Sequence, residues 1–175
     1  MDSNRFRDQI IALLPRLRRF AFSLTSNLDD ADDLVQAACE RALSKEYQWR
    51  PGTRLDSWLL KITHNLWIDG KRSVRQSKIH IPIEEGIKGQ EEMRQESGIE
   101  AKIMFQQVME AMEKLPENDR VILSLICVDG MSYKEASATL DIPVGTIMSR
   151  LARARKKLHA LMNENDKPLT NTNLS

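Results

Sequence analysis

The stretch from Met131 to Leu158 carries the side chains best suited to chemistry in this chain. Ser132 and Glu135 have the spacing of a capping box, which predicts that a short helix starts here, and Pro143 predicts a turn before a second helix. Apolar residues recur along the second helix at spacings of three and four, which predicts one buried stripe. The stripe comprises Val144, Ile147, Leu151, Ala154, Leu158 and Leu161.

The remaining faces of this second helix are polar and basic. Residues 143–162 contain five basic residues and no acid, whereas a surface that serves only solubility usually mixes both signs. Two helices with a tight turn and a basic second helix are typical of a helix-turn-helix that enters the DNA major groove. We therefore favour DNA binding over a merely solvated amphipathic helix. Hydroxyl and basic groups suited to phosphates and base edges are Thr146, Ser149, Arg150, Arg153, Lys156 and Lys157.

The net charge of +1 conceals a strong segregation of charge along the chain. Residues 41–78 hold nine basic and three acidic residues, whereas residues 84–100 hold six acidic and two basic residues. This distribution favours two basic modules separated by an acidic connector over one neutral globule.

Several classes of function find no support in the sequence. No apolar run is long enough to cross a bilayer and the N-terminus lacks a signal-peptide core, so we expect a cytoplasmic protein without membrane insertion. The three histidines lack metal-ligand spacing, and Cys39 and Cys127 fit buried free thiols. With no phosphate loop, nucleophile elbow or paired carboxylates, we expect no metal, no cofactor, no small-molecule substrate and no catalytic residue.

The elements that position these residues are predicted to be helices nearly throughout, which makes the fold class all-α. A first amphipathic helix spans Phe6 to Leu14, and Pro15 begins a second helix that runs to about Leu24. A later helix follows a Pro-Gly loop, with a capping box formed by Thr53 and Asp56. Its predicted buried face comprises Leu55, Trp58, Leu59, Ile62 and Leu66.

The organisation along the chain is predicted to be two small helical domains, of which the second is the helix-turn-helix. The first spans residues 1–78 and the second spans residues 97–162. A flexible acidic linker, residues 79–96, is expected between them because it is rich in glycine and charge and lacks periodicity. Residues 163–175 are expected to form a disordered tail.

Three groups of residues resemble motifs of the bacterial RNA polymerase sigma factors. Residues 30–36 read DADDLVQ, which resembles their D-x-x-D-L-V-Q signature, and residues 58–65 read WLLKITHN, which is similar to their W-L-x-x-I-A-x-N helix. Residues 115–120, 130–133 and 143–155 resemble their C-terminal region. The ordered set covers about nine-tenths of the chain. With only two domains, the chain resembles the extracytoplasmic-function (ECF) group.

The resemblance implies that the first motif docks on core RNA polymerase, through the coiled-coil clamp of the β′ subunit, with the β subunit as a further partner. Carboxylates and an amide on adjacent turns beside a leucine make a small polar-rimmed apolar patch that suits a basic partner helix. The implied polymerase-binding residues are Asp30, Asp33, Leu34 and Gln36.

The resemblance also implies that the tryptophan helix and the loop before it melt and hold the start-proximal (−10) promoter element. A melted strand needs cations along its backbone and an aromatic surface for an extruded base, and Trp49 and Trp67 are the candidates for stacking. Trp58 falls on the predicted buried face. The implied −10 residues are Arg50, Arg54, Lys61, Asn65, Lys71 and Arg72.

The helix-turn-helix is implied to read the upstream (−35) element through the residues 146–157 already named. Met148 stands where relatives often have a basic residue and Ala152 where many have an aromatic residue or histidine, so contacts from these positions should be weaker. The balance then shifts toward DNA shape and backbone contacts.

Members of this family are usually held inactive by an anti-sigma factor, which makes such a protein an expected partner beside promoter DNA. One alternative is a mimic that titrates an anti-sigma factor without binding DNA, and the basic residues argue against it. Another is a repressor that uses the helix-turn-helix alone, which would not need the polymerase-docking motif.

Overall fold

The computed structural model describes residues 3–76 and 98–165, and this part of the chain is helical and contains no strand. The all-α fold class is confirmed. Residues 79–96, the predicted linker, lie outside the described residues, as does the predicted tail beyond residue 165. The described helices are α1 Ser3–Thr25, α2 Leu28–Ser44, α3 Leu55–Gln76, α4 Ile99–Glu113, α5 Glu117–Leu123, α6 Tyr133–Leu140 and α7 Val144–Asn165.

Helix α1 is a single helix that continues through Pro15, so the predicted break at this proline is wrong. A proline inside a helix costs about 3 kcal/mol, partly because it removes one backbone hydrogen bond. Phe6, Ile10, Leu17 and Phe20 are all at most 4% exposed, and burying each such side chain contributes about 1.5–3 kcal/mol. Because one continuous helix buries all four of these residues, burial outweighs the cost of the proline.

Helices α2 and α3 pack against α1 and against each other. Asn27 caps α2 by accepting a hydrogen bond from the Asp30 N–H at 3.0 Å. The buried face of α3 differs from the predicted one, because Leu60 and Trp67 are buried whereas Trp58, Ile62 and Leu66 are only partly buried. The prediction assumed that α3 is covered on one side only. In the structure α3 packs against α1 and α2 and also contacts α6, so residues on a second side are buried as well.

The helix-turn-helix forms as predicted at α6 and α7. Ser132 and Glu135 make the capping box in both directions, with hydrogen bonds of 3.1 Å and 2.8 Å. Asp141 ends α6 in the left-handed region at φ 55°, a backbone conformation that aspartate adopts more readily than most residues other than glycine. Along α7, Ile147 and Leu151 are buried, while Val144 at the start of the stripe is 39% exposed.

The C-terminal helices pack on the N-terminal ones, so that one hydrophobic core runs through both groups. Helix α1 contacts α4, α5 and the π-helical turn Ser124–Val128 that extends α5, and Phe22 stacks on Phe105 with 6.1 Å between ring centroids. Buried Arg120 of α5 donates a hydrogen bond to the Leu24 carbonyl oxygen of α1 at 2.6 Å. The described helices therefore form one closed arrangement.

Two further predictions about local structure are wrong. Thr53 and Asp56 do not make a capping box, because the Thr53 hydroxyl donates to the Arg50 carbonyl oxygen and Asp56 accepts hydrogen bonds from two arginines. Cys127 is exposed rather than buried, since the π-helical turn shifts it from the apolar face, whereas Cys39 is half-buried.

Candidate nucleic-acid interface

Helix α2 presents an acidic surface at its N-terminal half. Asp30, Asp33 and Gln36 are exposed at intervals of three residues, which places them along one side of the helix beside half-buried Leu34. The first turn also carries Asp29, and acids there are stabilised by the helix dipole. The structure therefore brings the four predicted polymerase-binding residues together on one helix face.

This acidic surface continues into a groove of about 340 Å³ between α2 and the C-terminal half of α3. Asp30 and Leu34 form one side of the groove, and Trp67, Lys71 and Val74 belong to the other. Val74 is 67% exposed. A partner helix that contacts α2 would therefore also meet an apolar strip of α3.

A second cavity, of about 200 Å³, lies between α2 and the middle of α3. Its lining combines an aromatic ring, two amides and three cations, which together suit a nucleobase and its phosphate. We call it the α3 pocket. Its lining residues are Arg41, Lys45, Gln48, Trp58, Lys61, Ile62, Asn65, Leu66 and Asp69.

The α3 pocket has Asn65 in its lining, but beside a different tryptophan from those predicted. Trp49 and Trp67, the predicted stacking residues, are only 8% and 5% exposed and belong to the core, so that prediction is wrong. Trp58 is half-buried, packs 6.4 Å from Phe6 and lines the pocket. It is therefore the tryptophan best placed to meet a base.

Arg41 and Lys45 are pocket residues that the motif comparison did not identify. They lie at the C-terminal end of α2 and at its cap, outside both N-terminal motifs. Their only signal in the sequence is that they belong to the basic segment 41–78. The pocket therefore combines cations from two helices.

The predicted −10 cations fall into two sets. Arg50, Lys71 and Arg72 are exposed, with the Lys71 ammonium 5.7 Å from the centroid of the Trp67 ring. Arg54 and Lys61 instead form ion pairs with acids of α6 and its C-cap. Their partners are Glu135 and Asp141, respectively.

The outer face of α7 places most of the predicted −35 residues on one accessible surface. Ser149, Arg153 and Lys156 are exposed, and Thr146 and Arg150 are half-buried on the same helix. Lys157 differs, because its ammonium donates a 2.6 Å hydrogen bond to Asp119 of α5, whose side chain is 7% exposed. Lys157 thus ties α7 to α5. We call the surface of the other five residues, which are predicted to contact the −35 element, the basic reading face.

No helix within residues 3–76 and 98–165 is long and apolar enough to span a membrane. Over the same ranges, no group of three or more histidine, cysteine, aspartate or glutamate side chains has the arrangement of a metal site.

Sequence comparisons match both parts of the chain to known domains. Residues 10–77 match the domain described as Sigma-70 region 2, and residues 105–158 match Sigma-70, region 4. The ECF RNA polymerase sigma factor EcfG of Rhodopseudomonas palustris is 38% identical over 91% of this chain and 86% of its own length. The ECF RNA polymerase sigma factor SigE of Mycolicibacterium smegmatis is 32% identical over 82% of this chain and 56% of its own length.

A solved structure gives a similar result for the fold. The sigma factor RpoE of Bartonella quintana, crystallised in complex with the anti-sigma factor NepR, superposes with a TM-score of 0.76 at 31% identity. The alignment covers 93% of this chain and 99% of that one. The arrangement of α1 to α7 is therefore similar to that of a sigma factor in complex with an anti-sigma factor.

Proposed function

The chain belongs to the ECF RNA polymerase sigma factors, and we propose from this premise how its surfaces share the work of transcription initiation. Members of this family bind core RNA polymerase and promoter DNA and are not enzymes, so the polymerase performs the chemistry. We place the first DNA-binding domain at residues 1–78 and the second at residues 97–162. Both act in the cytoplasm, where the polymerase works.

The α3 pocket is the observation that carries the proposed role in promoter melting. Asn65 offers both a donor and an acceptor to a base edge, and Trp58 offers a face for stacking, which is worth about 1–3 kcal/mol per base. That energy is comparable to the few kcal/mol needed to extrude one base. Cations on both walls supply contacts to the strand's phosphates. The pocket therefore captures an unpaired base of the −10 element.

The two remaining surfaces fix the protein on the polymerase and on duplex DNA. The acidic face of α2, Asp30 to Gln36, docks on the polymerase clamp, and the groove beside it extends that contact. The basic reading face of α7 binds the −35 element. A mimic that only titrates an inhibitor has no use for this basic face, and a simple repressor has no use for the α2 face.

An anti-sigma factor is the proposed regulator. This rests on the similarity to the Bartonella quintana sigma factor, whose structure contains the anti-sigma factor NepR. An inhibitor of that kind binds the closed arrangement and keeps it from the polymerase.

Asn65→Ala tests the pocket directly. Holoenzyme that contains this variant should bind core polymerase normally but form open complexes about tenfold less well, since a bidentate base contact is worth about 1–3 kcal/mol. Permanganate reactivity of unpaired thymines around the start site measures the opening. Asn118→Ala, which removes an exposed amide on α5, is the matched control. Equal reactivity of the Asn65→Ala and control holoenzymes would exclude the pocket as the base site.

A further inference from the structure

A chain of alternating charges joins the two DNA-binding domains. Arg16 of α1 binds Asp129 through two hydrogen bonds, of 2.6 Å and 2.7 Å, and binds Asp56 through a third of 2.5 Å. Asp56 also accepts hydrogen bonds from Arg54 at 2.6 Å and 3.1 Å, and Arg54 pairs in turn with Glu135. Asp129 and Glu135 belong to the second domain, whereas the other three residues belong to the first.

The middle of this network is shielded from water. The side chain of Asp129 is 1% exposed and that of Asp56 is 15% exposed, so salt screens these pairs less than pairs on the open surface. The Asp129 carboxylate depends on Arg16 for neutralisation while the domains are closed. Charged groups at a contact between domains are typical of interfaces that open and close.

A second set of pairs lies across the same interface. Lys61 of α3 pairs with Asp141 at the end of α6, and Arg75 donates a 2.6 Å hydrogen bond to Glu117 of α5. Arg54 and Lys61 are both among the proposed −10 cations, and Lys61 lines the α3 pocket. Carboxylates of the second domain therefore occupy cations that DNA phosphates would otherwise contact.

The closed arrangement cannot serve both promoter elements. The −10 and −35 elements lie about 25 base pairs apart, which is about 85 Å along B-form DNA. A compact chain of this length has a radius of gyration of about 16 Å, hence a diameter of about 40 Å. The domains must separate before both can be engaged.

We propose that the second domain is an intramolecular competitor for the −10 strand, with Glu135 and Asp141 standing in for DNA phosphates on Arg54 and Lys61 of the closed protein. This inference rests on the proposed −10 role of α3. Ser149, Arg153 and Lys156 of the basic reading face stay exposed in the closed arrangement, so the competition affects the −10 site and leaves the −35 site accessible. Promoter DNA favours the open arrangement because only that arrangement reaches both elements.

The test variant is Glu135→Gln with Asp141→Asn, which removes both charges without changing side-chain size. Glutamine preserves the capping box with Ser132, and asparagine tolerates the left-handed backbone at position 141. Glu100→Gln with Glu164→Gln is the matched control, because it removes the same charge from two exposed acids, one on α4 and one on α7. Far-UV circular dichroism establishes that both variants keep their helices.

Spin labels report the distance between the domains in the free protein. Labels at Ala12 and Ala160, both exposed, are introduced as cysteines in a chain whose Cys39 and Cys127 are replaced by serine. Raising the salt from about 10 mM to about 1 M shortens the Debye length from about 30 Å to about 3 Å. We expect one narrow distance distribution for wild type and control at low salt. The test variant should add a population at longer distances, and so should high salt, which screens the more exposed pairs of Arg54 and Lys61. A broad wild-type distribution at low salt would overturn the proposal.

The second readout is the affinity of the free protein for a short fluorescent DNA single strand. This strand carries the −10 sequence, which is identified by mapping the starts of the transcripts. We expect the test variant to bind about tenfold more tightly than the control, because two ion pairs no longer compete. If the domains of the test variant open but its affinity for the single strand does not rise, the proposed competition is overturned, although the closed arrangement of the wild type is still supported. The proposed function fails separately, through the Asn65→Ala open-complex assay, whatever the spin labels show.

Discussion

Arg16 is the cation on which the charge network between the domains depends. Its hydrogen bond to Asp129 raises the pKa of Arg16 above its ordinary value, so the guanidinium is charged at every pH of interest. Replacing it by methionine keeps an unbranched apolar stem on α1 but leaves the buried Asp129 carboxylate without its partner. We therefore predict that Arg16→Met destabilises the protein.

The expected magnitude follows from burial. Removing one partner of a buried ion pair costs about 3–5 kcal/mol. Arg16 is 27% exposed and Asp56 keeps Arg54, so the lower end of that range applies, about 3 kcal/mol. With a urea dependence of about 2 kcal/mol per molar, the midpoint of unfolding should fall by about 1.5 M.

Urea unfolding followed by far-UV circular dichroism is the assay, and Arg19→Met is the control. Arg19 is exposed on the same helix, so its replacement should change the free energy of unfolding by less than about 0.5 kcal/mol. The loss from Arg16→Met should be smaller in an Asp129→Asn background, because no buried charge is then left unpaired. Equal midpoints for Arg16→Met and Arg19→Met, or an equal loss in both backgrounds, would refute the reasoning.

The remaining predictions concern the binding faces and the effect of pH. Arg153→Ala should lower transcription from promoters with a −35 element about tenfold while leaving affinity for core polymerase unchanged. Asp33→Ala should instead weaken the affinity for core polymerase. Run-off transcription and core-binding titrations distinguish the two variants. Lys156→Met should reduce the salt dependence of duplex binding by about 0.9 in log–log slope, whereas Lys157→Met should mainly lower stability, because only Lys157 pairs with a buried carboxylate. Identical behaviour of the two lysine variants would contradict this division. Burial alone would raise the pKa of Asp56, but hydrogen bonds from two arginines and the backbone outweigh it and lower the pKa to about 2. A depressed folded-state pKa stabilises the protein above about pH 4, and this contribution, about 1–2 kcal/mol after allowance for solvent screening, is lost as the pH falls toward 2. The difference in the free energy of unfolding between wild type and Asp56→Asn should therefore shrink between about pH 4 and about pH 2. A difference that stays constant over this range would argue against a lowered pKa for Asp56.

Local signals predicted the helix-turn-helix well because they act over a few residues. The Ser132–Glu135 capping box, the turn at Pro143 and the buried stripe of α7 all depend on neighbours within one or two helical turns. The same holds for the acids at the start of α2. Such features are set by backbone hydrogen bonding and helical periodicity, which a sequence displays directly.

Predictions that depended on distant parts of the chain were wrong for a common reason. The rule that proline begins a helix failed at Pro15 because burial along α1 outweighed it. Trp67 is core rather than a stacking surface because buried Arg120, from the second domain, lies 5.7 Å from its ring. Periodicity along α3 cannot reveal that a second domain packs on it.

The ion pairs of Arg54 and Lys61 show the same limit at the candidate site. The Lys61–Asp141 pair spans 80 residues and the Arg16–Asp129 pair spans 113. In the sequence, Asp129 and Asp141 look like ordinary polar residues of turns between helices. Composition identified the cations, and the motifs predicted that they contact DNA. Only the packing of the two domains shows that some of them are already paired.

The most direct test of the central claim is to combine the purified protein with core RNA polymerase and the organism's genomic DNA and to sequence the 5′ ends of the transcripts. New starts should appear only when both proteins are present, and they should share a −10 and a −35 element at constant spacing. Transcripts identical to those from core polymerase alone, despite stable binding of the protein to the polymerase, would contradict the account.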